Sequence, residues 1–388
     1  MGVGGLVLST REQVSLAVIE DFRGGRISRD EAARLLGVHW RTITRWANAV
    51  RAKGPQGIKH GNCGAIAPNR LADEDRQQVI ALAKGRYRNF NLRHMHECLV
   101  ADHGVKACYD TVRKWCNAAG IGHRRKRRAN RIRLHRDRMA NEGLMLQMDG
   151  SHHRWYGGRE MCLMAAIDDA TSHIPAARFF PTETTWACFA ILRQIIETRG
   201  VPEMLYVDGA GWAGGGAKRQ FFSQFVRACA ELGIRVLHAK SAQAKGRIER
   251  TFRTMQDRLV AEFELHGIKS DTDANRYLEQ VFLPTYWNRK LTVVPLELQS
   301  RYRPLPAHID LNHVFCFQTK RLVGTSHTAS FEGKLYRINN PELGSLKGRQ
   351  VIVCQDEAGK LTWLFGSIQL NVELVKRPER HWQKRPAG

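Results

Sequence analysis

The chain has 388 residues, too many for one small hydrophobic core, so two to four domains are expected. Its hydrophobic share of 43% is ordinary for a globular protein, whereas a formal net charge of +24 is not and predicts an extended polyanionic partner. No apolar run reaches the length of a membrane-spanning helix, GVGGLVL lacks the basic start of a signal peptide, and the nine scattered cysteines form no CxxC pair. These features predict a cytoplasmic protein with reduced thiols and no membrane partner.

From about Thr10 to Arg51 the apolar spacing predicts three helices. Val14, Ala17, Val18 and Phe22 mark the first. Ser28 can cap the second, SRDEAARLLG, with Glu31 three residues on as its capping-box partner, and Gly37 makes a tight turn. The third helix, from His39 to Val50, would turn Ile43, Trp46, Ala47 and Val50 inward. Arg41, Thr42, Arg45 and Asn48 then face outward. A short helix, a glycine turn and a helix with a polar, cationic outer face make a helix-turn-helix, whose second helix enters the DNA major groove. His39, Arg41, Thr42, Arg45 and Asn48 are therefore expected to contact DNA; a plain three-helix bundle is the alternative.

A Gly/Pro-rich linker from Lys53 to Asn69 leads to a second helical unit from about Leu71 to Ile121, with Val79, Leu82, Met95, Leu99, Val112, Trp115 and Ala119 as core markers. It reads as a second helix-turn-helix or winged helix. His94, His96, Cys98, His103 and Cys108 lie here, but positions 94, 96 and 98 do not share one helical face, so zinc is not expected. The run HRRKRRANRIRLHRDR follows, with Arg124, Arg125, Lys126, Arg127 and Arg128 at its centre. It reads as a tether that follows phosphates without choosing sequence, or else as a solvated linker.

The next part of the chain is predicted as strands 144–149, 160–167 and 175–180, helix 184–199, strand 203–208, helix 217–232, a short strand 235–239 and a helix carrying Glu249. Three strands followed by alternating helix and strand suit a mixed five-stranded sheet flanked by helices, the ribonuclease H-like arrangement. Asp149 ends LMLQMD and Asp208 ends MLYVD, two apolar strand-type runs that each finish in Asp-Gly. In the last helix Ile248, Phe252, Met255, Leu259 and Phe263 form a buried stripe. Glu249 sits beside it among Lys245, Arg247, Arg250 and Arg253. An i,i+4 surface ion pair with Lys245 or Arg253 would account for Glu249 alone. With two strand-end aspartates it makes three hard oxygen donors, a set that can hold two Mg²⁺ ions against one phosphodiester. Asp168 and Asp169 head the turn DDATS and are assigned to turn chemistry. From 272 to 303 a further helix ends in YWNRK and a Pro-punctuated linker, and from about 312 to 372 strand-period segments with Gly turns predict a small β-barrel.

QMDGS around Asp149, AIDDATSHIPAARF, YVDGAG around Asp208 and QAKGRIERTFRTMQDRL around Glu249, in that order, resemble the core motifs of the DDE transposases of bacterial insertion sequences. That family's catalytic core is similar to retroviral integrase. About forty residues separate Asp208 from Glu249, a spacing such cores use. The resemblance covers roughly residues 140 to 300 and departs from the family at Gly209 and Ala242. It implies that Asp149, Asp208 and Glu249 hold two Mg²⁺ or Mn²⁺ ions, and that Lys240, Lys245 and Arg247 lie on DNA. It also implies cleavage of element ends, strand transfer into double-stranded target DNA, a homo-oligomer on DNA and a bacterial, nucleoid-associated setting. The expected domains are 1–53, 69–122, a basic linker 123–139, a core 140–303, a barrel 312–372 and a disordered tail 373–388. A hydrolytic nuclease of the same fold and a non-catalytic DNA-binding regulator are the rival readings. Paired N-terminal readers argue against the first, and three retained carboxylates against the second.

Overall fold

The computed structural model describes residues 8–63, 71–122, 137–207, 224–238 and 246–375. The expectations for Arg124, Arg125, Lys126, Arg127, Arg128, Asp208, Lys240 and Lys245 concern residues outside that set. The chain divides into two compact units, 1–77 and 78–388.

The first unit holds α1 (Thr10–Arg23), α2 (Arg29–Leu36), α3 (Trp40–Lys53) and a 3-10 turn, Gly54–Ile58. Ser28 caps α2 by accepting from the Glu31 amide at 3.2 Å. Gly37 closes α2 at a φ of 64°, a left-handed conformation that glycine reaches without a Cβ clash. Ile19, Ala32, Ile43, Ala47, Val50 and Ile58 form the core. The inward face of α3 is the expected one. On α1 the expected Val18 and Phe22 pack half-buried against this core, but Ser15 and Ile19 are its buried positions, whereas Val14 is 54% exposed and Ala17 is exposed. A buried serine carries no hydrophobic signal, so apolar spacing does not report it. The segment expected to be linker begins as part of this unit: a Cβ on Gly57 would fall 2.3 Å from the Ala49 carbonyl.

Helix α4 (Asp73–Lys84) spans the division between the units and is followed by α5 (Leu92–His103) and α6 (Tyr109–Ala118). Gly104, at a φ of 65°, ends α5. Val79, Met95, Leu99 and Val112 are buried, as their spacing predicts.

Next come β1 (Met145–Tyr156), β2 (Arg159–Asp168), β3 (Ala176–Phe180), α7 (Thr185–Arg199), β4 (Met204–Val207), α8 (Gln224–Glu231), β5 (Arg235–His238) and α9 (Gly246–Leu265). The strand order is β3-β2-β1-β4-β5. The first three strands form an antiparallel meander, and β4 and β5 run parallel to β1. This is the mixed sheet expected of a ribonuclease H-like core. Its parallel strands need crossovers, and α7 and α8 lie in them. Alternate residues of β1 enter two different cores. Leu146 and Met148 pack with Ile191, Leu192 and Phe225. Trp155 packs on the other face with Ile248, Phe252, Met255, Leu259 and Phe263. That second set contains every apolar position the sequence assigned to the α9 stripe.

Helix α10 (Asp271–Tyr277) continues as a π-helix, Leu278–Trp287, and a last turn, α11 (Asn288–Lys290). Pro284 lies inside the wide stretch. Proline has no amide hydrogen for the α-helical ladder and its ring crowds the preceding turn, which a wider turn relieves. After α12 (Leu311–Val314) the strands β6 (Phe317–Leu322), β7 (Thr328–Phe331), β8 (Lys334–Ile338), β9 (Gln350–Gln355), β10 (Leu361–Phe365), β11 (Ile368–Leu370) and β12 (Val372–Val375) form two sheets, β11-β10-β9-β6 and β12-β8-β7. The expected barrel is thereby corrected, because strand pairing among the described residues does not close a ring. The two sheets cover one core around Phe331, Val351, Val353 and Trp363. Among the described residues no helix is long and apolar enough to cross a membrane.

The turn after β2 carries a pH response. Burial, with the neighbouring Arg199 guanidinium, lowers the His173 imidazole from 6.5 to about 4. Arg199 Nη2 lies 2.6 Å from His173 Nε2, which suits a neutral ring accepting from a cation. The folded value lies below the unfolded one, so the contribution of His173 is complete above about pH 6.5 and is lost as pH falls toward 4. The melting temperature should fall across that window, and His173→Asn should flatten the fall. A variant profile parallel to wild type would contradict this.

Candidate active site

Asp149 lies within β1, not at its end. The strand runs on to Tyr156, pairing antiparallel with β2, and Asp149 sits opposite Ala165. What ends near Asp149 is the parallel partner: β4 pairs with β1 through Gln147 and Tyr206, and its last residue is Val207. Asp208 is the next residue in the chain and lies outside the described set. The Asp-Gly pair that reads as a strand stop has a different basis at Gly150, where a Cβ would come within 2.9 Å of both Cys162 Sγ and Met164 Sδ. Close packing demands glycine there, on the strand face opposite Asp149.

Two hydrogen bonds hold α9 across the face of β1 that carries Asp149. The Ile248 amide donates to Gln147 Oε1 at 3.3 Å, and Gln256 Nε2 donates to Ser151 Oγ at 3.0 Å. Gln147 and Ser151 flank Asp149 on its own side of the pleat. Glu249 follows Ile248 directly, in the first turn of α9, and is exposed. Among the described residues no ion pair joins it to Arg253.

A polar network behind this contact fixes it. Asp169 is fully buried and accepts from Gln147 Nε2 at 2.7 Å, Arg247 Nη1 at 2.8 Å and the Met139 amide at 2.9 Å. Gln147, also fully buried, thus donates to Asp169 and accepts from Ile248, so both ends of its amide are used. Turn chemistry describes Asp168, which accepts from the Gly143 amide and from the amide and hydroxyl of Thr171. Burial raises its carboxyl above the ordinary value against those bonds. Turn chemistry is an incomplete description of Asp169. Arg247, expected on DNA, has its guanidinium engaged with that buried carboxylate, and its side chain is 23% exposed. Sequence alone suggested no role for Gln147 and assigned Asp169 only to the turn. A glutamine inside the apolar run LMLQM was the available signal, since a buried amide needs partners on both sides.

The other expected contacts lie on the first unit. His39 is the N-cap of α3, its ring nitrogen accepting from the Arg41 amide at 3.2 Å. Arg41, Arg45 and Asn48 are exposed at i, i+4 and i+7, one stripe of α3, and Thr42 is half-buried beside them. Trp40 stacks beneath two guanidinium groups, Arg29 at 4.4 Å and Arg41 at 5.3 Å from its ring centre.

A helix-turn-helix domain model matches residues 11–64. Putative transposase y4bF of Sinorhizobium fredii (strain NBRC 101917 / NGR234) is 33% identical over 362 residues, covering 90% of this chain and 78% of that protein. The transposase for insertion sequence IS1202 of Streptococcus pneumoniae is 27% identical over 400 residues, covering 92% and 83%. A cryo-EM structure of the simian T-cell lymphotropic virus intasome in complex with PP2A regulatory subunit B56 gamma matches at 16% identity, over 77% of this chain and 99% of that one. Its TM-score of 0.34 is too low to carry an argument. With a relative this similar along most of both chains, the protein belongs to the transposases of bacterial insertion sequences.

Proposed function

We propose that this transposase binds the ends of its element, cleaves them and joins them to target DNA, with Asp149, Asp208 and Glu249 as the carboxylates of a two-metal site. One observation carries the reading: hydrogen bonds on both sides of Asp149 hold α9, whose first turn carries Glu249, against the strand that carries Asp149. Carboxylate oxygens suit Mg²⁺ or Mn²⁺, and such ions, when bound, stabilise both the attacking and the leaving oxygen of a phosphodiester exchange. Asp149 and Glu249 would hold the ions from a rigid strand and a rigid helix, and Asp208 from the segment after β4. Arg247 and Gln147 act as positioning residues, tying α9 to Asp169. The α3 stripe of the first unit supplies the address, and the basic run at 124–128 adds phosphate contacts of no fixed sequence. Two ends need joint handling, so the protein would act as a homo-oligomer on DNA, in the bacterial cytoplasm at the nucleoid.

Asp149→Asn, Asp208→Asn and Glu249→Gln should each abolish cleavage and strand transfer of labelled end DNA while leaving its binding intact. Strand transfer at wild-type rate by the Glu249→Gln protein would sink the assignment.

Arg247→Met should slow cleavage by roughly a hundredfold without abolishing it, since a small misplacement of reacting groups costs that much. The Mg²⁺ concentration needed for half-maximal rate should rise in parallel. Loss of binding to all DNA, with the metal requirement unchanged, would instead make Arg247 a phosphate contact.

Arg41→Ala and Arg45→Ala should weaken binding to the element end by about 1–3 kcal/mol per lost base contact and leave nonspecific binding unchanged. Neutralising Arg124 to Arg128 should weaken binding to every sequence and make the salt dependence shallower by about 0.9 per lost phosphate contact. Equal effects of both sets on all sequences would refute the division of labour.

A further inference from the structure

Helices α5 and α9 meet through a second polar cluster, away from the carboxylate site. Glu262 lies thirteen residues beyond Glu249 on α9, about 20 Å along the helix axis. His94 and Cys98 stand at i,i+4 on α5, and Glu262 and His266 at i,i+4 on α9 and the turn that follows it. Ligand atoms of His94, Cys98 and Glu262 all lie within 4.8 Å of one another. His94 is 3% exposed, its ring stacks on Phe90 at 4.2 Å, and its Nε2 lies 2.5 Å from Glu262 Oε1. The other oxygen of Glu262 accepts from Tyr277 at 3.0 Å and lies 3.5 Å from His266 Nε2.

An ordinary His–Glu pair does not account for this arrangement. It gives no role to the thiol of Cys98, which lies within 4.8 Å of ligand atoms of both partners. We propose that His94, Cys98 and Glu262 form a structural zinc site that fastens α5 to α9, with His266, which lies outside that cluster beside Glu262, closing it as the fourth ligand. Two imidazoles, a thiolate and a carboxylate are the donors a tetrahedral, borderline-soft ion takes, and sulfur selects against magnesium. Zinc would replace the thiol proton of Cys98 and the proton shared by His94 and Glu262, releasing both to solvent. Burial, and then the charges of Glu262, Asp102 and Glu97, push the thiol up to about 12, so the metal-free site keeps it protonated at neutral pH. The i,i+4 pair on α5 was present in the sequence, but its partners come from a helix more than 160 residues later.

The full-length protein, stripped by a chelator and titrated with Co²⁺, tests the proposal. One ion per chain should bind at this site, with a thiolate-to-cobalt charge-transfer band in the near ultraviolet and the strong visible bands of four-coordinate cobalt. Zn²⁺ should displace it and raise the melting temperature. Cys98→Ser should remove the charge-transfer band, and His266→Ala, at a half-exposed side chain, should weaken binding by roughly tenfold or more. Cys108→Ser, at an exposed thiol, should change neither. Asp149→Asn should keep the charge-transfer band, so failure here and failure of the carboxylate site remain distinguishable. No charge-transfer band in wild type, the same band in Cys98→Ser, or a melting temperature indifferent to zinc would overturn the site.

Discussion

The buried carboxylate of Asp169 is the constraint on which the arrangement of the core depends. A charge with no access to water must be matched by donors, and Asp169 takes them from three separate stretches of chain: Met139 before β1, Gln147 within it and Arg247 at the start of α9. Removing one partner of such a pair generally costs about 3–5 kcal/mol, because a buried charge is left behind. The network therefore holds position where apolar contact alone would tolerate a slide. Packing of Ile248 and Phe252 brings α9 to the sheet; the Asp169–Arg247 pair and the Gln147–Ile248 bond fix its register along β1.

Helix α9 carries three kinds of interaction along its length. Its inner stripe closes the second core of the sheet. Its first turn brings Glu249 beside the strand of Asp149. Toward its end it meets α5 and the segment before it: Asn91 donates to Asp257, Glu97 pairs with Arg258 at 3.0 Å, His94 pairs with Glu262, and Arg88 pairs with Glu264 at 3.0 Å. Exposed pairs such as Arg88–Glu264 contribute little. Arg258 and His94 are nearly buried, so theirs are costly to break. A helical segment that reads as a separate module is thus joined by polar contacts to the helix that carries Glu249.

In the function proposed above, chemistry and address fall on different parts of the chain. The α3 stripe lies on a unit with its own core and caps. The sheet needs no sequence information from DNA, since one phosphodiester resembles another. Such a division lets the recognised end change by surface substitution while the buried network around Asp169 stays as it is.

Periodicity made the helices and strands legible in the sequence, since apolar spacing of three and four, or two, reports which face loses water. That was enough for α3, for the α9 stripe and for the order of the core elements, and the motifs around Asp149, Asp208 and Glu249 were enough for the family. The position of Asp149 within a continuing strand was not legible, because where β4 stops pairing depends on a partner sixty residues away and Gly150 resembles a strand stop. On α1 the inward Val18 and Phe22 were legible, but the burial of Ser15 was not, because a serine has no hydrophobic signature. The C-terminal strands were legible, but not their closure into two sheets, since local sequence does not state which edges pair. Pairing of Arg247 with Asp169, and of His94 with Glu262, was likewise decided only by tertiary structure. A charged side chain shows its sign in the sequence, whereas its partner depends on which distant segment the packed core brings within reach.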